Sequence, residues 1–160
     1  MNYLINDRKL SKNIIEDFEL GFAPNSWTNL YEYLLNDKGF SYNSILDAGL
    51  IISKDNKKKV YDRFRNRLMV PIYNSQSRVI AFTGRTLDGS DPKYLNSPET
   101  EVFEKGKILY GFEKASSNIR KKDLAIVVEG NFDVISLHAK GINNCVAAQG
   151  SSLSKYQISQ

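Results

Sequence analysis

Leu124-Ala125-Ile126-Val127-Val128-Glu129-Gly130-Asn131-Phe132-Asp133-Val134 is the stretch on which the fold reading turns. The apolar run 124–128 is too short for an ordinary helix and suits a strand buried on both faces, as in a parallel sheet. Glu129-Gly130 ends the run, a helical pattern follows over residues 132–140, and Gly141 is placed to close it. A second apolar run at 144–148 comes next, then Gln149-Gly150-Ser151-Ser152 and the start of another helix. Two buried strands joined by one helix imply a parallel βαβ unit, and a helix over 112–118 precedes it. In open α/β sheets ligands bind at the carboxyl ends of the strands, and Glu129 stands at such an end. Asp133 falls in the first turn of the following helix and can face the same crevice. A hard cation such as Mg²⁺ takes one or two carboxylates and completes its shell with water and phosphate oxygens. An acid here therefore suits metal-assisted phosphoryl transfer. A plainer reading stays open: Glu129 could cap nearby amides, and Asp133 could steady the helix N-terminus. Free amides in Gln149–Ser154 offer an anion-binding geometry that many βα turns share.

Working back toward the N-terminus, residues 1–50 read as helical. Ser11 can cap a short helix carrying Ile14, Ile15 and Phe18, after which Gly21-Phe22-Ala23-Pro24 breaks the pattern. Ser26 can cap a second helix whose Trp27, Leu30, Tyr31, Leu34 and Leu35 recur at the spacing of one apolar face, a Trp and Tyr stripe read as core ahead of the alternative of a base-stacking platform. Ser41 can cap a third helix that Gly49 ends. From Leu50 the period changes: residues 49–52, 67–73 and 78–83 read as strands, the last two as a hairpin. KDNKKK (54–59) and RKK (120–122) read as solvated turns. Arg63, Arg65 and Arg67 alternate, so an extended backbone would project all three to one face. Residues 86–107, with Gly89, Pro92, Pro98 and Gly106, form a long polar segment of the kind that is usually functional. Along these stretches Arg63, Arg65, Arg67, Arg85, Lys93, Lys105 and Lys107 interleave with Tyr94, Phe103 and Tyr110. Guanidinium groups grip phosphate through paired planar hydrogen bonds, lysine acts as a point charge, and aromatics can stack on bases.

Composition sets outer limits. The chain has 160 residues, 41% apolar and 25% charged, with a net charge of +4. The basic balance alone is a weak sign of nucleic acid; placement of the charge carries more. One Cys and one His permit no internal disulfide and no structural zinc site of four ligands. Cys145 reads as a buried spectator and His138 as a half-buried helix residue. No apolar run is long enough to span a bilayer, and the first residues lack the order of a secretory signal. The expectation is a soluble intracellular protein with no membrane contact.

In order along the chain, GFAPNSW, YDRFRNRLMVPI, FTGRTL, PKYLNSPET followed by VF, KG and LYG, and VVEGNFDVISLHAKGINNCVAAQGSSLS resemble the successive motifs of bacterial-type DNA primases, from about Tyr3 to the last residue. The resemblance implies a mixed α/β subdomain (1–105) that handles template, followed by a truncated Toprim domain (106–160) of Rossmann-like βαβ type. It implies synthesis of short RNA primers on single-stranded DNA from ribonucleoside triphosphates with Mg²⁺ (or Mn²⁺). By motif match, Glu129 would bind metal or act as general acid/base, with Asp133 its companion. Arg63, Arg65, Arg85, Lys93, Asn96 and Lys105 would belong to the surface that handles template and nucleotides. Against the family pattern, a leading zinc domain, the downstream Asp-x-Asp strand and a helicase-binding C-terminal domain are missing, so the replicative helicase is expected only through that last part. Asn131-Phe132 replaces the commoner Tyr-Met, and Ser151 the usual Thr. The expectation is a fragment that is inactive alone, with an apolar sheet edge left open and a tendency to self-associate. Its setting would be the bacterial cytoplasm, at the nucleoid or replisome, with plastid or phage origin also compatible. Two alternatives stand beside it: a non-catalytic remnant that binds single-stranded nucleic acid, and a different Toprim enzyme such as a nuclease or topoisomerase, against which PKYLNSPET argues.

Overall fold

A computed structural model of the chain describes residues 3–54, 59–150 and 152–160. After a π-helical turn at Tyr3–Asp7 come α1 (Lys12–Asp17), β1 (Gly21–Ala23), α2 (Asn29–Glu32, continued by a π-helical turn at Tyr33–Asp37) and α3 (Tyr42–Asp47). Strands β2 (Ile51–Lys54), β3 (Lys59–Asp62), β4 (Arg67–Tyr73), β5 (Val79–Thr86) and β6 (Tyr94–Asn96) follow. The last part contains β7 (Leu109–Tyr110), α4 (Phe112–Lys122), β8 (Ile126–Val128), α5 (Asn131–His138), β9 (Cys145–Ala148) and α6 (Lys155–Ile158). By contacts the chain forms two compact units, one from residues 1–20, 70–80 and 104–160, the other from 21–69 and 81–103.

Serine caps start the short helices as their sequence requires. Ser11 Oγ accepts the amide of Ile14 at 3.4 Å, and Ser41 Oγ accepts that of Ser44 at 3.1 Å. Ser26 does not play this part. Helix α2 begins at Asn29, where the buried carboxylate of Asp62 receives the amides of Leu30 and Tyr31 at 2.8 and 2.9 Å. Trp27 lies ahead of the helix and is 65% exposed, so the expected apolar stripe does not carry it into the core.

In the unit of 21–69 and 81–103, β2 and β3 pair antiparallel, and β1 pairs antiparallel with the start of β4, setting Phe22 opposite Leu68. The larger sheet runs in the order β1-β4-β5-β6. Neither β1 nor β3 stands out in the sequence, because each is only three or four residues long, and β1 also takes its partner, β4, from far along the chain. The middle of KDNKKK (55–58) lies outside the described residues.

The other unit holds a sheet of order β7-β9-β8, in which β8 and β9 are parallel and β7 joins β9 antiparallel. The βαβ expectation holds here, with α5 as the crossover. Ala115 of α4, Leu109 and Val146 pack together with Phe112 and Ile119, and Val134, Ile135, Cys145 and Ala147 are fully buried. Each large apolar side chain so buried contributes roughly 1.5–3 kcal/mol. Cys145 is buried, as expected, and His138 is half-buried with its ring edge-on to Phe18 at 5.3 Å.

One expectation reverses. The run 124–128 is not buried on both faces: the strand spans only Ile126–Val128, with Leu124 56% and Val127 46% exposed. Among the described residues β8 stands at one end of the order β7-β9-β8, paired along one side only, which is why its apolar side chains are not covered on both faces.

Candidate functional site

Glu129 follows β8 directly and is exposed. With Val127, Val128, Ala148, Gly150, Ser152 and Leu153 it lines an open cleft of about 600 Å³ at the carboxyl ends of β8 and β9. The parallel pairing of Val128 with Ala147 puts both strand ends on one side, which is why the acid and the Gly150 turn share a cleft. Ser151, within that turn, lies outside the described residues. Asp133 is exposed on the first turn of α5, and its Oδ2 accepts the amide hydrogen of Gly130 at 3.1 Å. Gln149 donates to Asn131 Oδ1 at 3.1 Å, tying the two turns together.

As a donor set this fits the first ligand of a hard divalent ion. One exposed carboxylate faces a roomy cleft, and phosphate oxygens and water would have to complete the shell. Among the described residues no group of three or more His, Cys, Asp or Glu stands together. Lys105 lies in the same unit, half-buried in a 3-10 turn (Lys105–Lys107), and its carbonyl accepts the side-chain amide of the buried Gln157 at 3.1 Å.

The second unit carries the remaining candidates. Arg85 on β5 pairs across the sheet with Tyr94 on β6, and its guanidinium donates to the Tyr94 hydroxyl at 3.1 Å. Lys93 is exposed with its ammonium 5.9 Å from the Tyr94 ring, and Asn96 accepts the Thr83 hydroxyl at 2.8 Å. Antiparallel register thus gathers Arg85, Lys93 and Tyr94 at one end of the β5–β6 pair. Ser97, fully buried, accepts the Phe82 amide at 2.9 Å and holds β6 onto β5 beyond the last paired residue.

Arg63, Arg65 and Arg67 do not share a face. The chain is irregular over 63–66, and Asn66 has φ of +50°, so the alternation that assumes an extended backbone fails before β4 begins. Arg63 donates through Nε to the Gly49 carbonyl at 2.8 Å. Arg67 is only 7% exposed and donates to the Pro92 carbonyl at 2.8 Å, bracing the 86–93 segment from within. Arg65 donates to the Asp62 carbonyl and lies over two rings, 4.4 Å from the Trp27 centroid and 5.1 Å from that of Tyr61. Sequence reasoning missed Asp62 and the Trp27–Tyr61 pair. The signal for Trp27 was its place between Ser26 and Thr28, at the mouth of a helix and ahead of its apolar face.

These features define a class: a mixed α/β protein with an acidic strand-to-helix turn in one unit and a cation- and aromatic-bearing antiparallel sheet in the other. Residues 1–116 match the family model for the DNA primase catalytic core, N-terminal domain, and residues 123–160 match that of the Toprim domain. The chain belongs to the DNA primase catalytic core family. It is 50% identical over 158 residues to the DNA primase of Synechococcus elongatus and 48% identical over 158 residues to that of Pseudomonas aeruginosa, covering 99% of this chain in each case. It spans about a quarter of the length of these relatives, 23% and 24%. Among solved structures, a DnaG primase catalytic domain bound to ssDNA is similar at a TM-score of 0.85 and 41% identity, over 97% of this chain and 48% of that one. The RNA polymerase domain of Mycobacterium tuberculosis primase is similar at a TM-score of 0.88 and 32% identity, over 98% of this chain and 51% of that one.

Proposed function

We propose that this chain is the template-handling part of a primase's RNA-polymerising core together with the first carboxylate of its Toprim metal site. The parent enzyme would make short RNA primers on single-stranded DNA from ribonucleoside triphosphates in the cytoplasm, at the replisome. The observation that carries the reading is the placement of Glu129 at the carboxyl end of a parallel strand, lining a cleft, within a chain of the primase family. In this reading residues 1–105 handle template and residues 106–160 begin the Toprim domain.

Glu129 would hold Mg²⁺ or Mn²⁺, or move a proton at the reacting hydroxyl. An ion so held supplies Lewis-acid stabilisation of phosphate charge. Asp133 would act through Oδ1, because Oδ2 is committed to the Gly130 amide. Arg85 and Lys93 would contact backbone phosphates of the template, with Tyr94 between them available to a base. Asn96, Arg63 and Lys105 would position these elements, since the first two bond protein groups and the third is half-buried.

One carboxylate makes a weak metal site, and removing a single charge-stabilising group costs about 10²–10³ in rate. The 160-residue polypeptide is therefore expected to bind single-stranded DNA and to show no measurable primer synthesis. The test pairs an anisotropy titration with labelled oligo-dT and a ribonucleotide-incorporation assay. Failure to bind any single strand would overturn the template-handling role. Robust incorporation would overturn the incomplete-site reading.

A further inference from the structure

Asp88 is an exposed carboxylate lying between Arg85 and Lys93 in the chain, where its charge alone opposes a phosphate strand. Both of its oxygens are engaged with the protein. Oδ1 accepts the Ser90 amide at 3.0 Å and the hydroxyl of Thr86, a residue only 5% exposed. Oδ2 accepts the side-chain amide of Asn66, the residue before β4, at 2.6 Å. The Thr86 amide donates to the Lys93 carbonyl at 3.0 Å, which closes residues 86–93 into a loop, and Arg67 holds the returning limb through the Pro92 carbonyl at 2.8 Å. The carboxylate thus ties the outgoing limb to the start of β4. Lys93 leaves the loop directly into β6, whose Tyr94 pairs with Arg85.

We infer that Asp88 is a positioning residue for strand binding: through Asn66, Thr86 and Ser90 its carboxylate orders in advance the loop that presents Arg85 and Lys93 to phosphate. The acid itself need not touch the strand. A loop left loose must be fixed when the ligand arrives, and each side chain immobilised at that moment lowers affinity. Two effects of this acid on a polyanion therefore oppose each other. Its charge repels, and that repulsion fades with salt as the screening length falls from about 10 Å at 0.1 M to about 3 Å at 1 M. Its bracing favours binding, and an ordering cost is not screened. The inference rests on the role proposed for Arg85 and Lys93 and adds the group that holds them.

The test is an anisotropy titration of the chain with labelled oligo-dT at about 0.05 and about 0.2 M salt, each variant being checked as folded by circular dichroism. Asp88→Ala makes the chain more positive, yet it should weaken binding about 2- to 12-fold, the change for ordering one side chain on binding. The loss should be larger at the higher salt, where the charge gained is screened. Asp88→Asn keeps the Oδ1 acceptor, and Asn66 can turn its own amide to pair with it, so this variant should bind at least as tightly as the parent. Asn66→Gly removes one brace without changing charge, and glycine suits the φ of +50° there, so it should weaken binding in the same direction as Asp88→Ala. Unchanged or tighter binding by folded Asp88→Ala would overturn the inference, because it would leave the acid only its charge. Equal weakening by Asp88→Asn would overturn it too, by making that charge the requirement. If Arg85→Ala weakens binding and neither Asp88→Ala nor Asn66→Gly does, this inference alone fails. If the unaltered chain binds no strand, the proposed function fails with it.

Discussion

One carboxylate oxygen of Asp133 accepts the amide hydrogen of Gly130 at 3.1 Å, closing the first turn of α5 beside the acidic loop. The bond ties Gly130, the residue after Glu129, to the first turn of α5, so this acid has a structural contact whatever it does for a ligand. Asp133→Ala should cost about 0.5–2 kcal/mol of stability, the usual range for losing such a cap, read as a lower urea midpoint. A midpoint that does not move would show that the contact contributes nothing.

For the β5–β6 end, Arg85→Ala and Lys93→Ala should each weaken single-stranded DNA binding and reduce the slope of log K against log salt by about 1. Unchanged slopes in both variants would remove phosphate contact from their roles. Arg67→Met makes the contrasting case. Its guanidinium is buried against backbone carbonyls, so this substitution should lower stability while leaving the salt slope of the folded variant as it was.

Gly111 adopts φ of +78°, and a Cβ there would lie 2.8 Å from Val134 Cγ1. Backbone strain and overpacking against α5 act together, so Gly111→Ala should destabilise the chain by roughly 2–4 kcal/mol. A loss under ~1 kcal/mol in urea unfolding would mean that Val134 moves aside.

Two half-buried groups tilt the pH dependence in opposite directions. Desolvation raises the pKa of Glu113, whose Oε2 finds no hydrogen-bond partner among the described residues. Its contribution is therefore present below the unfolded value of 4.5 and lost as pH rises through the folded one. Glu113→Gln should be more stable than the parent at pH 7.5, the two converging near pH 4. Burial lowers the pKa of His138, so its contribution is present above 6.5 and lost on acidification through the folded value. His138→Gln should flatten the acid limb of the stability profile below that point. Circular dichroism of urea unfolding across pH checks both, and opposite slopes would refute the burial argument.

Local chemistry was legible in the residues; long-range geometry was not. Ser11 and Ser41 cap the helices that follow them, Gly141 at φ of +80° ends α5, and the parallel pairing of the two apolar runs holds. Each of these depends on neighbours a few positions away. The exposure of Leu124 and Val127 depends on β8 being outermost, which no run of hydrophobic letters encodes. The arginine alternation failed for a local reason: Asn66, a residue tolerant of positive φ, turns the chain one step before β4. The Asp62 contacts that set Trp27 outside the core join residues 27–31 to position 62, a distance at which sequence patterning carries no signal.

The segments of the two compact units alternate along the chain, with crossings after residues 20, 69, 80 and 103. No single peptide cleavage can therefore separate them: a nick within 81–103 would leave each product holding pieces of both. During synthesis the unit that includes residue 20 cannot close until residues 104–160 leave the ribosome, whereas the other has all its segments once residue 103 emerges. Excision of either half as a free-standing domain would require rejoining the chain in a new order.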